Sequence, residues 1–282
     1  MRLRLTSLLL AGAAAVALAS TAVADLKTPR VSPNATVTQT IGLTDFTVTY
    51  SRPGVKGRVV WGDLVPYDKP WRTGANEATR FTTSDSIMFG GQKLPAGGYS
   101  LFTIPGKDEW TIALNSEKDL WGAYEYKPEK DVLRVKVKPT AAAHEEWMNF
   151  SFENLTPTSG ELTLRWEKLQ VAVPIAVNVN DQVLASARSE IDTPDWRTPY
   201  RAADFTLTNN VALDEGEKWL QKSLTIQKNY YNLSLLARYH MKAGRKKEAV
   251  ATAQQAIAAG KASKDKVDTA ATEKLLAEWT KS

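Results

Sequence analysis

The chain of 282 residues contains no cysteine. That excludes thiolate nucleophiles, disulfide staples, cysteine-ligated zinc and a lipid-modified cysteine. Histidine is almost as scarce, with only His144 and His240. A Ser-His-Asp triad would have to use His144, in Ala143-His144-Glu145-Glu146, and no nucleophile-elbow motif accompanies it. A histidine-based metal site lacks its second nearby imidazole. His144 reads as an exposed loop residue and His240 as a packing residue of a helical hairpin. No glycine-rich phosphate loop is present, so neither a metal nor a cofactor is expected. Dense cation clusters are missing as well: the one run of three is Arg245-Lys246-Lys247, on a helical turn. Nucleic acid is therefore not an expected partner.

Long apolar runs are also missing, except near the start. Arg2 and Arg4 precede the apolar stretch Leu8 to Ala19, which leads into Ala22-Val23-Ala24. This is the plan of a secretory signal peptide over residues 1–24, cleaved after Ala24. Its apolar core, about a dozen residues, is short of the roughly 20 that span a bilayer. The expected product is periplasmic or secreted, with no membrane span. The formal charge of +5 includes Arg2 and Arg4, so the remainder is only mildly basic.

What the chain does have is alternation. Phe46, Val48 and Tyr50 alternate with polar residues, as do Leu133, Val135 and Val137, and Met148, Phe150 and Phe152. A period of two with one polar face predicts antiparallel strands packed on one side. Over Glu161 to Val177, Leu162, Leu164 and Trp166 share one parity, and Leu169, Val171, Val173 and Ile175 the other. The slip at Glu167-Lys168 predicts a bulge or a tight turn. Turn signals at Gly90-Gly91, Pro95-Ala96-Gly97-Gly98, Pro105-Gly106 and Ser159-Gly160 separate the runs. Residues 25–185 therefore read as an antiparallel β-sandwich.

Pro194 and Pro199 mark a linker over residues 186–199. Beyond it, Glu215-Gly216 and Leu220 to Leu224 align with Glu248-Ala249 and Ala253 to Ile257 at an offset of 33 residues. That is close to the ~34 of a tetratricopeptide repeat. Residues 200–282 are thus predicted as a tetratricopeptide-like helical tail with a last helix near Val267 to Trp279. Since about three repeats are needed to stand alone, the tail is expected to pack on the β-domain.

One segment departs from the alternation: Ser51-Arg52-Pro53-Gly54-Val55-Lys56-Gly57-Arg58, Trp61-Gly62, Leu64-Val65-Pro66-Tyr67, and Trp71 to Thr79. Together with Leu94 to Gly97 and Tyr99 to Pro105, it resembles the Domain of Unknown Function 2911 family. The similarity extends through Trp110, Asn115, Trp121-Gly122 and the strands from Trp147 to Trp166. The resemblance implies an exported bacterial β-rich domain, often with a helical tail, and carries no activity, substrate or catalytic residue with it.

The residues themselves suggest binding. Arg52, Lys56, Arg58 and Arg72 lie among Trp61 and Trp71, with Asn76 and Glu77 close by. Arginine beside aromatic planes can hold a carboxylate or phosphate bidentately, or stack on a ring. The competing structural reading pairs Glu77 with Arg52 or Arg72 and uses Trp61 and Trp71 to plug one end of the sandwich. The functional expectation is a non-catalytic binding module for a small polar or anionic ligand or a glycan. Two alternatives stand beside it. One is an envelope scaffold that holds a protein partner through the tail. The other is a hydrolase acting on a carbohydrate or peptide, with Glu77, Asp119, Glu125 and Asp131 as candidate acids. Separately, Trp121, Tyr124 and Tyr126 resemble the aromatic platform of a carbohydrate module, against the structural reading that such aromatics cover the core at a sandwich edge.

Overall fold

The structure, a computed structural model, describes residues 28–281. The expected signal peptide lies outside the described residues. Ten strands form two antiparallel sheets: β1 (Asn34–Ile41), β2 (Thr44–Ser51), β3 (Thr79–Thr83), β4 (Ile87–Phe89), β5 (Gln92–Leu94), β6 (Gly97–Ile104), β7 (Trp110–Asn115), β8 (Asp131–Val137), β9 (Thr140–Glu153) and β10 (Ser159–Ala176). The larger sheet has the order β1-β2-β3-β6-β7-β8 and the smaller β5-β4-β10-β9. The alternation sends Phe46, Val48, Phe81, Leu101, Ile112 and Leu133 inward from the first sheet. Met148, Phe150, Leu162, Leu164, Val171 and Ile175 come to meet them from the second. The parity slip is a bulge inside one continuous strand: Glu167 takes φ 57° and the β9–β10 register shifts on either side of it. It lets Trp166 and Val171, of opposite parity, both face the core.

Six helices follow: α1 (Val179–Glu190), α2 (Arg197–Asn209), α3 (Leu213–Ile226), α4 (Tyr230–Lys242), α5 (Lys246–Ala262) and α6 (Ala270–Lys281). The boundary drawn at residue 185 falls inside α1, whose start is capped by Asn178 Oδ1 accepting from the Asp181 N–H at 3.1 Å. The stretch read as a linker contains the end of α1 and the first turn of α2. α2 packs on α3 and α4 on α5. The second hairpin repeats the first at 33 residues, since α2 and α4 begin at Arg197 and Tyr230, and α3 and α5 at Leu213 and Lys246.

The tail does not lean on the sandwich as the two-repeat argument predicts. Its apolar clusters are its own, built from Ala203, Trp219, Leu220, Leu235 and Tyr239, and from Ala237, Ala249, Ala253 and Trp279. The physical reason is that α1 and α6 flank the hairpins and supply the burial that a third repeat would give. α1 itself joins the sandwich where β2 begins: Val179 packs on the β core and Gln182 donates to Thr44 Oγ1 at 2.8 Å. Among the described residues no helix is long and apolar enough to cross a membrane.

Within the tail, Gly216 of α3 lies where α2 and α4 meet. A Cβ there would overlap Thr206 Oγ1 and Tyr239 Oη, both hydrogen-bonded to the Ala203 carbonyl. Helix propensity favours alanine by about 1 kcal/mol, whereas overpacking a filled site costs about 1–3 kcal/mol. Gly216→Ala should therefore lower the thermal midpoint of the chain; a raised midpoint in differential scanning calorimetry would show that the helices separate freely there.

Candidate functional site

Residues 52–78 connect β2 to β3 by crossing the end of the sandwich remote from α1. The passage is sewn to both sheets. The Val55 N–H donates to the Glu146 carbonyl and the Met148 N–H to the Pro53 carbonyl, at 2.8 and 3.0 Å. On the other side Trp71 and Thr103 exchange both backbone hydrogen bonds, at 2.8 and 2.9 Å. Beneath the passage four indoles meet. Trp61 touches Trp71, Trp110 and Trp166 edge to face, with centroids 6.0, 4.9 and 5.7 Å away. Trp71 and Trp166 are stacked at 5.8 Å. Such pairings suit the ring quadrupoles and bury large apolar areas.

The cations expected to form a site divide into two kinds. Arg52 Nε donates to the Met148 carbonyl at 2.8 Å, so this side chain ties the passage to β9. Arg58 folds back on its own turn, donating to the Val55 and Gly54 carbonyls at 3.1 and 2.6 Å. Lys56 places its Nζ 5.5 Å from the Trp147 ring centroid, while its backbone N–H donates to Glu146 Oε1 at 2.9 Å. Arg72 is different. It is half-buried, and its Nε is fully enclosed with no acceptor among the described residues. Burial holds its guanidinium below the ordinary range, while the Tyr124 phenol pulls weakly the other way. By contrast Arg134 and Arg165 are raised by the hydrogen bonds of their carboxylate partners.

Lys56, Arg58, Trp71, Arg72 and Trp166 line one cleft of about 210 Å³. Three further donors of the same cluster, the indole N–H groups of Trp61, Trp110 and Trp166, are buried and lack acceptors among the described residues. Trp71 is satisfied, donating to the Gly74 carbonyl at 3.1 Å. The turn after Arg72 is strained: Thr73, β-branched and fully buried, sits at φ 53°, a region that costs such residues about 1–3 kcal/mol. Hydrogen bonds from Thr79 Oγ1 to the Thr73 carbonyl (2.6 Å) and from Thr73 Oγ1 to Thr103 Oγ1 (3.2 Å) hold it there.

Asn76 and Glu77 face elsewhere. The Asn76 side chain makes a 3.5 Å contact from Nδ2 to the Ser32 carbonyl. Glu77 pairs with neither Arg52 nor Arg72; Arg30 Nη1 donates to both its carboxylate oxygens at 2.8 Å. His144 is on strand β9, not in a loop, with Nε2 3.6 Å from Glu146. His240 is largely enclosed on α4. Among the described residues no group of three His, Asp or Glu side chains is placed to hold a metal ion.

Sequence reasoning missed Arg30, which lies outside every motif, and did not bring Trp110 and Trp166 to this end. Their strand parity marks them as core but not as neighbours of Trp61.

The two kinds of cation should separate in stability measurements. Arg52→Met strands the Met148 carbonyl and loses a charged hydrogen bond, a cost of about 1.5–3 kcal/mol. Arg72→Met keeps the apolar stem and removes an unpartnered buried donor, so it should not destabilise the chain. Urea unfolding of the two variants checks this, and equal losses would mean that Arg72 is a structural tie like Arg52.

No curated protein and no solved structure matches the chain. The match to a family is over residues 32–175, from just before β1 almost to the end of β10, and so takes in the whole passage and the cleft beneath it. By that match, which covers half of its length, the chain belongs to the family described as Protein of unknown function (DUF2911).

Proposed function

We propose that this protein is a non-catalytic binding module of the cell envelope that holds a small anion, a carboxylate or a phosphate, in the cleft beneath residues 52–78. The observation that carries the reading is the enclosed, unpartnered Nε of Arg72 in a cleft it shares with Lys56 and Arg58. An unmet buried donor costs about 1–3 kcal/mol, and an acceptor that reached Arg72 would recover it. Guanidinium geometry favours a planar or tetrahedral oxyanion held by two parallel hydrogen bonds. The cleft is smaller than the ~300–1,000 Å³ of drug-sized sites, which suits a ligand of few atoms. Export, inferred from residues 1–24, places the module in the periplasm or outside the cell. The tail is then a tetratricopeptide-like appendage, a reading supported by its recurrence at 33 residues.

The test is a thermal-shift comparison with inorganic phosphate, succinate and uncharged glycerol. A ligand at about 100 times its dissociation constant adds roughly 2.7 kcal/mol, about 5–10 °C for a chain of this size. Stabilisation by one of the anions, absent with glycerol and lost in Arg72→Met, is the expected result. Equal stabilisation of Arg72→Met, or none with either anion, would remove the support for the site.

A further inference from the structure

A second cavity, of about 230 Å³, opens on the outer face of the larger sheet, and nothing in the anion reading uses it. Its lining includes Asn34, Ser51, Glu77, Arg80, Ser100 and Asp119. We propose that this cavity holds one ring of a neutral saccharide, with Trp121 as the stacking platform at its rim.

The floor is made of short hydroxyl side chains from paired strands. Arg80 and Ser100 are register partners on β3 and β6, and Ser51 ends β2 beside them. Ser51 and Ser100 are both buried. Ser51 Oγ contacts Asn34 Oδ1 at 2.8 Å and Glu77 Oε2 at 3.4 Å. The two carboxylates on the walls are each ion-paired, Glu77 with Arg30 at 2.8 Å and Asp119 with Arg80 at 3.1 Å. The cavity therefore has balanced charge and a surplus of acceptors, with guanidinium donors between them. That composition matches vicinal hydroxyl groups, each both donor and acceptor, better than it matches a charged ligand.

The platform is placed by the backbone. The Ala78 N–H donates to the Leu120 carbonyl at 2.9 Å and the Gly122 N–H to the Asn76 carbonyl at 3.1 Å. These bonds flank Glu77 and Trp121, which are bridge partners. In an antiparallel bridge of this kind the two side chains emerge close together on one face. Trp121 is nevertheless 61% exposed, an unusual position for so large an apolar side chain. The loop that carries it is anchored below: Leu120 packs on Phe102 and Ala113, and Tyr126 Oη donates to Asp131 Oδ2 at 2.6 Å. Trp121 is thus tied through the backbone to Glu77, which lines the cavity, and a platform with a fixed backbone lowers the ordering cost of stacking a sugar face.

Glu77 is not suited to be the acid of a glycosidase. A glycosidase needs one carboxyl kept protonated at neutral pH. Burial would raise Glu77, but hydrogen bonds from its own backbone N–H, Arg30 and Ser51 outweigh it and hold the carboxyl below the usual range.

Isothermal titration calorimetry of the chain with maltohexaose, cellohexaose and chitohexaose tests the proposal. At least one should bind saturably. Trp121→Ala should abolish the heat. Asp119→Asn should weaken binding at least about tenfold; asparagine suits the φ of 60° at this position, so the loop keeps its shape. Arg72→Met, in the other cleft, should leave the affinity unchanged, which keeps this outcome separate from that of the anion site. No saturable heat with any of the three at about 10 mM, enough for a site of ~1 mM affinity, would overturn the proposal. Undiminished binding in Trp121→Ala, or its loss in Arg72→Met, would overturn it equally.

Discussion

The packing of Trp61 against Trp71, Trp110 and Trp166 is the contact on which this end of the molecule depends. Two sheets packed face to face leave their ends open, and a long connection laid across an open end has backbone groups to satisfy. The indoles fill the space between the sheets so that residues 52–78 can lie on an apolar bed. Arg52 and Arg58 then satisfy carbonyls of β9 and of the passage itself. With those two cations committed to backbone, Arg72 is left over a cleft with its Nε enclosed and unpartnered. One guanidinium without an acceptor, among several that have one, turns a plugged end into a candidate site.

The helical tail stands at the opposite end. β2 runs from Thr44, where Gln182 of α1 is hydrogen-bonded, to Ser51, where the passage begins. At 3.3 Å per residue that is roughly 23 Å of strand. The tail carries its own apolar clusters, and neither cavity proposed for binding borrows a residue from it. Glu77 and Arg72, only five positions apart, face different cavities, with the left-handed residues Thr73 and Asn76 between them.

Much of this was legible in the sequence, for physical reasons. Strand alternation is a local signal, so the strands around Phe46, Leu133 and Phe150 could be read directly, and the parity slip at Glu167 marked the bulge. The recurrence at 33 residues marked two helical hairpins, although not α1, whose start at Val179 follows the last strand without a turn signal. The passage 52–78 stood out by composition. What composition could not supply was pairing. Glu77 finds Arg30 across 47 residues of sequence, and Arg52 finds a carbonyl rather than a carboxylate. Pairing across that distance is decided by strand order and register, which alternation does not encode. Trp166, read correctly as core, gave no sign that it would also wall a cleft.

The arginines of one passage divide between ties to backbone carbonyls and one unpartnered donor, and side-chain NMR of arginine-labelled protein can read that difference. The Nε–H resonances of Arg52, Arg58 and Arg72 would be followed while inorganic phosphate or succinate is added. Arg72 should shift and become protected from exchange with water, while Arg52 and Arg58, already bonded to carbonyls, should stay where they are. A stationary Arg72, or an equal movement of all three, would mean that Arg72 is no more available to an anion than the other two.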